Sequence, residues 1–143
     1  MNSRKRYKKS ELINFTYNIL KKVGLNNSNS KIISDLIIRA DERGVWSHGI
    51  VRLPVYVNRI EKKAAKKNPN FKFKKISNNI FHLSGDNGLG YLAANAGIKK
   101  CVSLAKEKGV GLVAINKSNH FGMAANYLEF ASKNKCIAWV YTN

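Results

Sequence analysis

Acidic residues are scarce in this sequence: 8 aspartates and glutamates stand against 26 lysines and arginines, giving a formal net charge of +18 at pH 7. Such an excess predicts attraction to polyanions, or to a small anionic substrate or cofactor. A small basic nucleic-acid-binding protein is therefore one candidate class, although no helix-turn-helix, RNA-binding or zinc-binding pattern accompanies the charge. A lysine preference shared by the whole proteome is the alternative explanation.

Cysteine is equally scarce, and Cys101 and Cys136 stand far apart. Their spacing offers neither a zinc site nor a disulfide framework, so we expect a reducing, cytoplasmic setting and no metal. No apolar run approaches the roughly 20 residues of a membrane span, and no apolar signal segment follows the basic N-terminus. What is present is a chain of 143 residues, 44% of them hydrophobic, which suffices for a folded core.

The densest group of chemically versatile side chains lies in the stretch DERGVWSHGIVRLPVY. If the chain is helical from His48, then His48, Arg52 and Tyr56 share one helical face. Pro54 restricts this prediction, because the helix must either start near Leu53 or kink there. Surface polarity is the alternative explanation of these side chains. The opposite, packing face would consist of Ile50, Leu53, Val57 and Ile60.

Residues 1–67 are predicted to form a helical subdomain. Ser10 is the expected N-cap of a first helix that Gly24 ends, and Ser30 is the expected N-cap of a second helix that ends near Gly44. A polar loop would join them, and a third helical element would run to Lys67, before an Asn-Pro-Asn turn. The expected inward-facing residues are Leu12, Phe15, Ile19 and Val23 in the first helix and Ile32, Ile33, Leu36, Ile37 and Ala40 in the second.

Residues 68–143 are predicted to form a partial α/β sheet domain, beginning with a hairpin over residues 71–84. The glycine-rich segment Gly85–Gly90 then joins a strand to a helix that Gly109 ends. Its glycine order differs from the dinucleotide-binding fingerprint, and no acidic residue follows at the required distance. A turn and helix start is therefore the better interpretation than a phosphate cradle. The buried face of that helix is expected to contain Tyr91, Ala94, Ile98, Cys101, Val102 and Ala105.

The last part of the chain is predicted to form a βαβ unit. A strand over Val110–Ile115, covered on both faces, would lead through a helix over Met123–Lys133 to a parallel strand over Cys136–Tyr141. His120 would then lie beyond the carboxyl end of the first of these strands, where ligands bind in such sheets. A histidine that caps the loop is the alternative.

Several motifs together resemble those of the malate/L-lactate dehydrogenase type of NAD(P)-dependent oxidoreductase, a family that includes ureidoglycolate and sulfolactate enzymes. The resemblance runs in order from about Ser10 to Asn143. It implies an α/β fold whose nucleotide site is not of the Rossmann kind. The motifs that carry it are Ala40-Asp41 with Gly44, Ser47-His48-Gly49, Arg52-Leu53-Pro54 with Tyr56, the segment Gly85–Gly90, Lys108-Gly109-Val110-Gly111 and Ser118-Asn119-His120-Phe121-Gly122.

The resemblance also implies roles for individual residues. His120 would be the general acid/base at the substrate C2 oxygen, a task that suits an imidazole whose ordinary pKa is about 6.5. Ser47 and His48 would polarise the substrate oxygens, and Arg52 would pair with the substrate carboxylate. Tyr56 and Asn119 would complete the substrate site. The hydride would come from NAD or NADP.

Two departures from the family pattern limit the resemblance. The segment from Lys62 to Lys75 is rich in lysine where the family has a short connection. Family members are also more than twice as long, so most cofactor contacts are expected beyond Asn143. We therefore expect either an N-terminal fragment of the enzyme or the product of a truncated or split gene, weakly active or inactive alone. The expected partners are a small hydroxy or oxo acid, and either a second copy of the chain or a missing C-terminal half.

Overall fold

The structure, a computed structural model, describes residues 6–142. The first five residues, which contain part of the basic N-terminus, and Asn143 lie outside that range. The helical part contains α1 (Lys9–Lys22), α2 (Asn27–Glu42), two 3-10 turns (Trp46–His48 and Ile50–Arg52) and α3 (Leu53–Glu61). The remainder contains β1 (Lys72–Lys75), β2 (Ile80–Gly88), α4 (Gly90–Lys108), β3 (Leu112–Ser118) and α5 (Ala125–Lys133).

The three strands form one mixed sheet in the order β1-β2-β3. β1 pairs antiparallel with β2, so the predicted hairpin is confirmed. β2 pairs in parallel with β3, and α4 connects them. The predicted α/β fold with a βαβ unit is thus confirmed, but the unit is built from β2, α4 and β3, one strand earlier than expected.

The predicted N-caps of the first two helices are wrong. α1 begins at Lys9 without a side-chain cap. α2 begins at Asn27, because the Asn26 side chain accepts the Asn29 N–H at 2.8 Å, which leaves Ser30 buried inside the helix. The predicted polar loop is correspondingly shorter. Gly24 ends α1 as expected, with a φ of 99° that favours glycine.

Helix α3 begins at Leu53, so Pro54 lies in its first turn, where the missing N–H costs no helical hydrogen bond. His48 therefore belongs to a separate 3-10 turn, and the prediction of one helical face carrying His48, Arg52 and Tyr56 is wrong. The helix also ends at Glu61 rather than Lys67. Arg52 directly precedes it and Tyr56 lies within it.

One hydrophobic core joins the helical part to the sheet part. It contains residues of α2 such as Ile33 and Ile37 together with residues of α4 such as Tyr91 and Leu92, all buried. The division at residue 67 stays a prediction. Phe15, expected to point inward, is 55% exposed. Among the described residues, no helix is both long enough and apolar enough to cross a membrane.

The outer part of the sheet is more exposed than the sequence predicted. Leu112 and Ile115 of β3 are 52% and 38% exposed, so the prediction that this strand is covered on both faces is wrong. Cys136–Tyr141, expected to form the next strand, pairs with no strand among residues 6–142. The chain there alternates between side chains that pack against the core and an apolar strip, which consists of the exposed Ile137, Trp139 and Tyr141.

We expect the apolar strip to make the isolated chain self-associate, because contiguous exposed apolar side chains favour association. The double variant Ile137→Lys/Trp139→Lys should remain monomeric at concentrations where the unmodified chain sediments as larger species in analytical ultracentrifugation. Phe15→Lys is the matched control, since it removes a single exposed aromatic residue elsewhere. Equal association of all three proteins would contradict the prediction.

Candidate functional site

Two histidines from distant parts of the sequence meet at one site. The rings of His48 and His120 stack with centroids 5.4 Å apart and an angle of 27° between their planes. His48 comes from the first 3-10 turn, and His120 from the loop that follows the carboxyl end of β3. The two histidines therefore lie side by side at one site.

Three polar side chains on the turns before α3 are tied to one another. The Ser47 hydroxyl lies 2.9 Å from His48 Nδ1, and Arg52 Nε donates to the Ser47 carbonyl oxygen at 2.8 Å. This bond fixes the position of the Arg52 side chain and leaves its terminal NH₂ groups available. Among the described residues Arg52 forms no ion pair with a carboxylate, so its charge is available to an anionic ligand.

The carboxylate of Asp41 holds the two 3-10 turns. Asp41 belongs to the sequence motif, but the sequence indicated no role for it. Asp41 Oδ2 accepts the Ile50 N–H at 2.7 Å. Gly49 lies against the same carboxyl group, and a Cβ at this position would overlap it. Burial raises the pKa of Asp41, and the Ile50 hydrogen bond partly opposes that shift. Asp41 therefore sets the path of the chain between His48 and Arg52.

His120 is fixed through one edge of its ring. Its Nδ1 lies 2.9 Å from the Tyr56 hydroxyl and accepts the Gly122 N–H at 3.3 Å. Burial lowers the pKa of His120, and nearby positive groups lower it further. Those groups are His48, Arg52 and Arg59. The residue is exposed, and both of these hydrogen bonds involve Nδ1 rather than the other ring nitrogen, Nε2.

Behind His120 lies a pair of buried tyrosines. Tyr56 and Tyr91 are 1% and 0% exposed, and their hydroxyls lie 3.0 Å apart. Burial raises the pKa of Tyr56 and strongly raises the pKa of Tyr91. Both phenols are therefore protonated at neutral pH, so each has one proton to donate.

The Asn119 side chain holds the His120 loop to β2. Its amide NH₂ donates to the Asn87 side chain at 3.0 Å and to the Gly88 carbonyl at 3.1 Å. Its amide oxygen accepts from Arg59 at 2.6 Å. Both ends of the amide are thus engaged within the protein, and a contact with substrate stays a prediction.

The glycine-rich segment forms the corner on which this loop rests. β2 continues through Gly88 with an irregular register. Asp86 and Asn87 have φ values of 48° and 55°, and the Asp86 carboxylate binds the Lys66 ammonium at 2.6 Å. Gly90, which begins α4, donates its N–H to the His120 carbonyl oxygen at 3.2 Å. The expected helix start at Gly90 is thus confirmed, but the expected turn is wrong, because Gly85–Gly88 form the irregular end of β2.

Sequence reasoning missed the supporting roles of Asp41, Arg59 and Tyr91. Arg59 follows Tyr56 by three positions on α3, a spacing that could have placed it on the side of the helix facing the site. Tyr91 was predicted to be buried, which is confirmed, but no pattern in the sequence indicates that its hydroxyl meets Tyr56. Within residues 6–142, no group of three metal-ligating side chains converges.

An α/β fold that brings two histidines and an arginine to one site is the arrangement that the sequence resemblance implied. The malate/L-lactate dehydrogenase family matches the chain over residues 7–143, and the chain belongs to that family. A malate/(S)-sulfolactate dehydrogenase of Methanothermus fervidus is 38% identical over 125 residues, which cover 87% of this chain and 37% of the relative.

A malate dehydrogenase of Pyrococcus abyssi is 34% identical over 138 residues, covering 96% of this chain and 38% of that protein. The solved structure of malate dehydrogenase from Pyrococcus horikoshii OT3 superposes with a TM-score of 0.88 at 32% identity, covering 90% of this chain and 37% of the other. The chain thus spans less than two fifths of the length of these relatives.

Proposed function

We propose that this chain carries the substrate-binding and proton-transfer part of an NAD(P)-dependent 2-hydroxyacid dehydrogenase. The substrate would be a small acid such as malate or lactate, interconverted with its 2-oxo acid. The observation that carries the proposal is the stacking of His48 on His120 with the Arg52 guanidinium nearby. Relatives named malate and sulfolactate dehydrogenases support the same class of reaction.

In the proposed reaction His120 exchanges a proton with the C2 oxygen of the substrate. During reduction the imidazolium would give its Nε2 proton to the developing alkoxide, and during oxidation the neutral ring would take the hydroxyl proton back. Nδ1 is already engaged with Tyr56 and Gly122, which leaves Nε2 for the substrate. Because the pKa of His120 lies below its ordinary value, the imidazolium is a stronger acid than a free histidine.

The substrate carboxylate would bind to Arg52. A guanidinium forms two parallel hydrogen bonds with a carboxylate, and Arg52 keeps its terminal NH₂ groups available while Nε binds the Ser47 carbonyl. Ser47 and His48 would then polarise the substrate oxygens from the same turn. The high positive charge of the chain would raise the local concentration of such an anion.

A bound nicotinamide cofactor, NAD or NADP, would supply the hydride. The described residues fit its reacting end, since the exposed edge of His120 adjoins the stacked His48 ring and two arginines. They offer no phosphate cradle within the glycine-rich segment, where Asp86 and Asn87 are engaged with neighbouring residues. We propose that the phosphate contacts come from the part of the family fold that this chain does not span.

The test is to compare the isolated 143-residue chain with a fusion. The fusion joins the chain to the part of the Pyrococcus abyssi malate dehydrogenase that lies beyond its matched region. The isolated chain should oxidise NADH or NADPH at a rate near background with 2-oxo acids, and the fusion should show substrate-dependent oxidation. Oxidation by the isolated chain at the rate of a full-length relative would contradict the proposal that essential cofactor contacts lie outside this chain. A soluble, folded fusion without any activity would contradict the dehydrogenase proposal.

Two further properties are proposed. Self-association as a dimer is supported by the exposed apolar strip, and ultracentrifugation of the fusion would test it. A cytoplasmic location is supported by Cys101 and Cys136, both of which are free thiols. Thiol titration of the protein purified under non-reducing conditions would test the cytoplasmic location, which predicts two free thiols.

A further inference from the structure

A second arginine lies beside the His120 loop. Arg59 belongs to α3 and donates from a terminal NH₂ group to the side-chain oxygen of Asn119 at 2.6 Å. Asn119 directly precedes His120, so this bond holds the Arg59 guanidinium against the loop that presents the proposed acid/base. It is the one hydrogen bond that the Arg59 side chain makes within residues 6–142, and the residue is exposed. The remaining N–H groups of the guanidinium are therefore available to a ligand.

The spacing along α3 places Arg59 on the same side of the helix as Arg52. The two residues are seven positions apart, which corresponds to about two turns and 10 Å of helix. Arg52 already has helical backbone angles, with a φ of −83° and a ψ of −14°. Tyr56 lies between them, and its hydroxyl is 2.9 Å from His120 Nδ1. The face of α3 that meets His120 thus carries an arginine before and after Tyr56.

Both guanidinium charges remain uncompensated. Among the described residues, no carboxylate forms an ion pair with Arg52 or Arg59. Burial lowers the pKa of His120, and the positive charges of His48, Arg52 and Arg59 lower it further, so both arginines act on that ring. A ligand with one carboxylate would satisfy Arg52 and leave the second positive charge without an anion.

We propose that Arg59 is a specificity-determining residue that binds a second anionic group of the substrate, so that the preferred substrate is a 2-hydroxy or 2-oxo acid with two such groups. This role rests on the proposed function, in which Arg52 binds the carboxylate next to the reacting carbon. The second group, such as the C4 carboxylate of malate, would bind the N–H groups of Arg59 that Asn119 leaves unoccupied. A guanidinium suits this task, because it stays charged at neutral pH and offers several donors to one carboxylate.

A purely structural role for Arg59, bracing of the His120 loop through Asn119, makes a different prediction. Loss of the guanidinium would then weaken every ligand that meets His120, whatever its charge. With the proposed role, only a ligand that has the second anionic group would bind more weakly. Malate and lactate are suitable probes, since both are 2-hydroxy acids and only malate has the second carboxylate.

The experiment is a titration of the 143-residue chain with L-malate and with L-lactate at constant pH and ionic strength, followed by NMR of the imidazole groups. The sequence contains three histidines, so His48→Asn and His82→Gln suffice to assign the signals. Both acids should shift the signals of His48 and His120 but not that of His82. L-malate should bind about tenfold more tightly, the lower end for a hydrogen bond to a charged group.

Arg59→Gln should remove this preference. The Kd of L-malate should rise about tenfold, whereas that of L-lactate should stay within about twofold of its original value. Glutamine can still donate to the Asn119 oxygen, so the loop can keep that bond. Lys62→Gln, which removes a positive charge directly after α3, is the matched control and should leave the preference intact.

Equal Kd values for the two acids in the unmodified chain would overturn the proposal, as would an Arg59→Gln variant that weakens both acids equally. An equal loss of preference in Lys62→Gln, or no shift at His48 and His120 with L-malate, would overturn it as well. None of these results depends on hydride transfer. An inactive fusion, together with a chain that prefers L-malate through Arg59, would contradict the dehydrogenase reaction and support the binding role.

Discussion

The fusion carrying His120→Asn is expected to lose about 10²- to 10⁴-fold in kcat/KM for 2-oxo acid reduction, the contribution typical of a general acid. Asparagine is polar and close in size, but it has no proton to give at neutral pH. Its side chain can still accept from the Gly122 N–H, as His120 Nδ1 does. The loss should therefore reflect chemistry rather than a displaced loop, and steady-state kinetics with NADH and NADPH would measure it.

His82→Gln is the control for this experiment. His82 lies in β2, where it pairs with Lys74 of β1, and no role in the site is proposed for it. The fusion with His82→Gln should keep kcat/KM within a few-fold of the parent. If His120→Asn also stayed within that range, His120 would not be the acid, and the proposed proton transfer would have to be assigned to another group.

The second large effect is expected from Gly90→Ala, which should destabilise the chain by about 2–3 kcal/mol, near the upper end for overpacking of a buried site. A Cβ at Gly90 would overlap the backbone carbonyl oxygen of Asn119 and crowd the backbone of His120. Backbone atoms cannot turn away as a side chain does, so the whole His120 loop must move. Urea unfolding followed by circular dichroism would measure the change in the free energy of unfolding.

Gly97→Ala provides a matched control on the same helix. A Cβ there meets the end of the Ile115 side chain at 2.9 Å, an atom that can rotate away because Ile115 is 38% exposed. Alanine is also the better helix former by about 1 kcal/mol. Gly97→Ala should thus stay within about 1 kcal/mol of the parent. If the two variants were equally stable, close packing of α4 against the His120 loop would not be a feature of the molecule in solution.

The sequence predicted the helices and strands of the core well, because their apolar spacing reflects burial within the chain itself. It failed on the helix ends that depend on a single side chain. Asn26 and Ser30 are both good N-caps, and the choice between them follows from the tertiary contacts that bury Ser30. The break before α3 was one of the two outcomes that Pro54 allowed.

The segment Cys136–Tyr141 shows a different kind of failure. An apolar run predicts that a segment is covered, but it does not identify the covering element. A strand also needs a partner, and this segment pairs with none of the three described strands, although β3 lies at one edge of the sheet. Its alternation of packed and exposed side chains is nevertheless the period expected for a strand.

The candidate site was predictable as a set of residues but not as a geometry. The two histidine motifs indicated His48 and His120, yet the reasoning that put His48 on the same helix as Tyr56 was wrong. Their meeting depends on the turns around Gly49 and on the loop that Gly90 contacts. No local sequence pattern indicates the hydrogen bond between Asp41 and Ile50 or the one between Tyr91 and Tyr56. Each bond joins residues that only the folded chain brings together.

The sequence has two tryptophans, one next to Ser47 and the other on the apolar strip. Trp46 is 55% exposed and directly precedes Ser47, whereas Trp139 is 73% exposed on the apolar strip. Intrinsic fluorescence therefore offers two signals in one chain. Trp46 would report ligand binding next to Ser47, and Trp139 would report covering of the apolar strip. Single Trp→Phe replacements would separate the two optical signals without any added label.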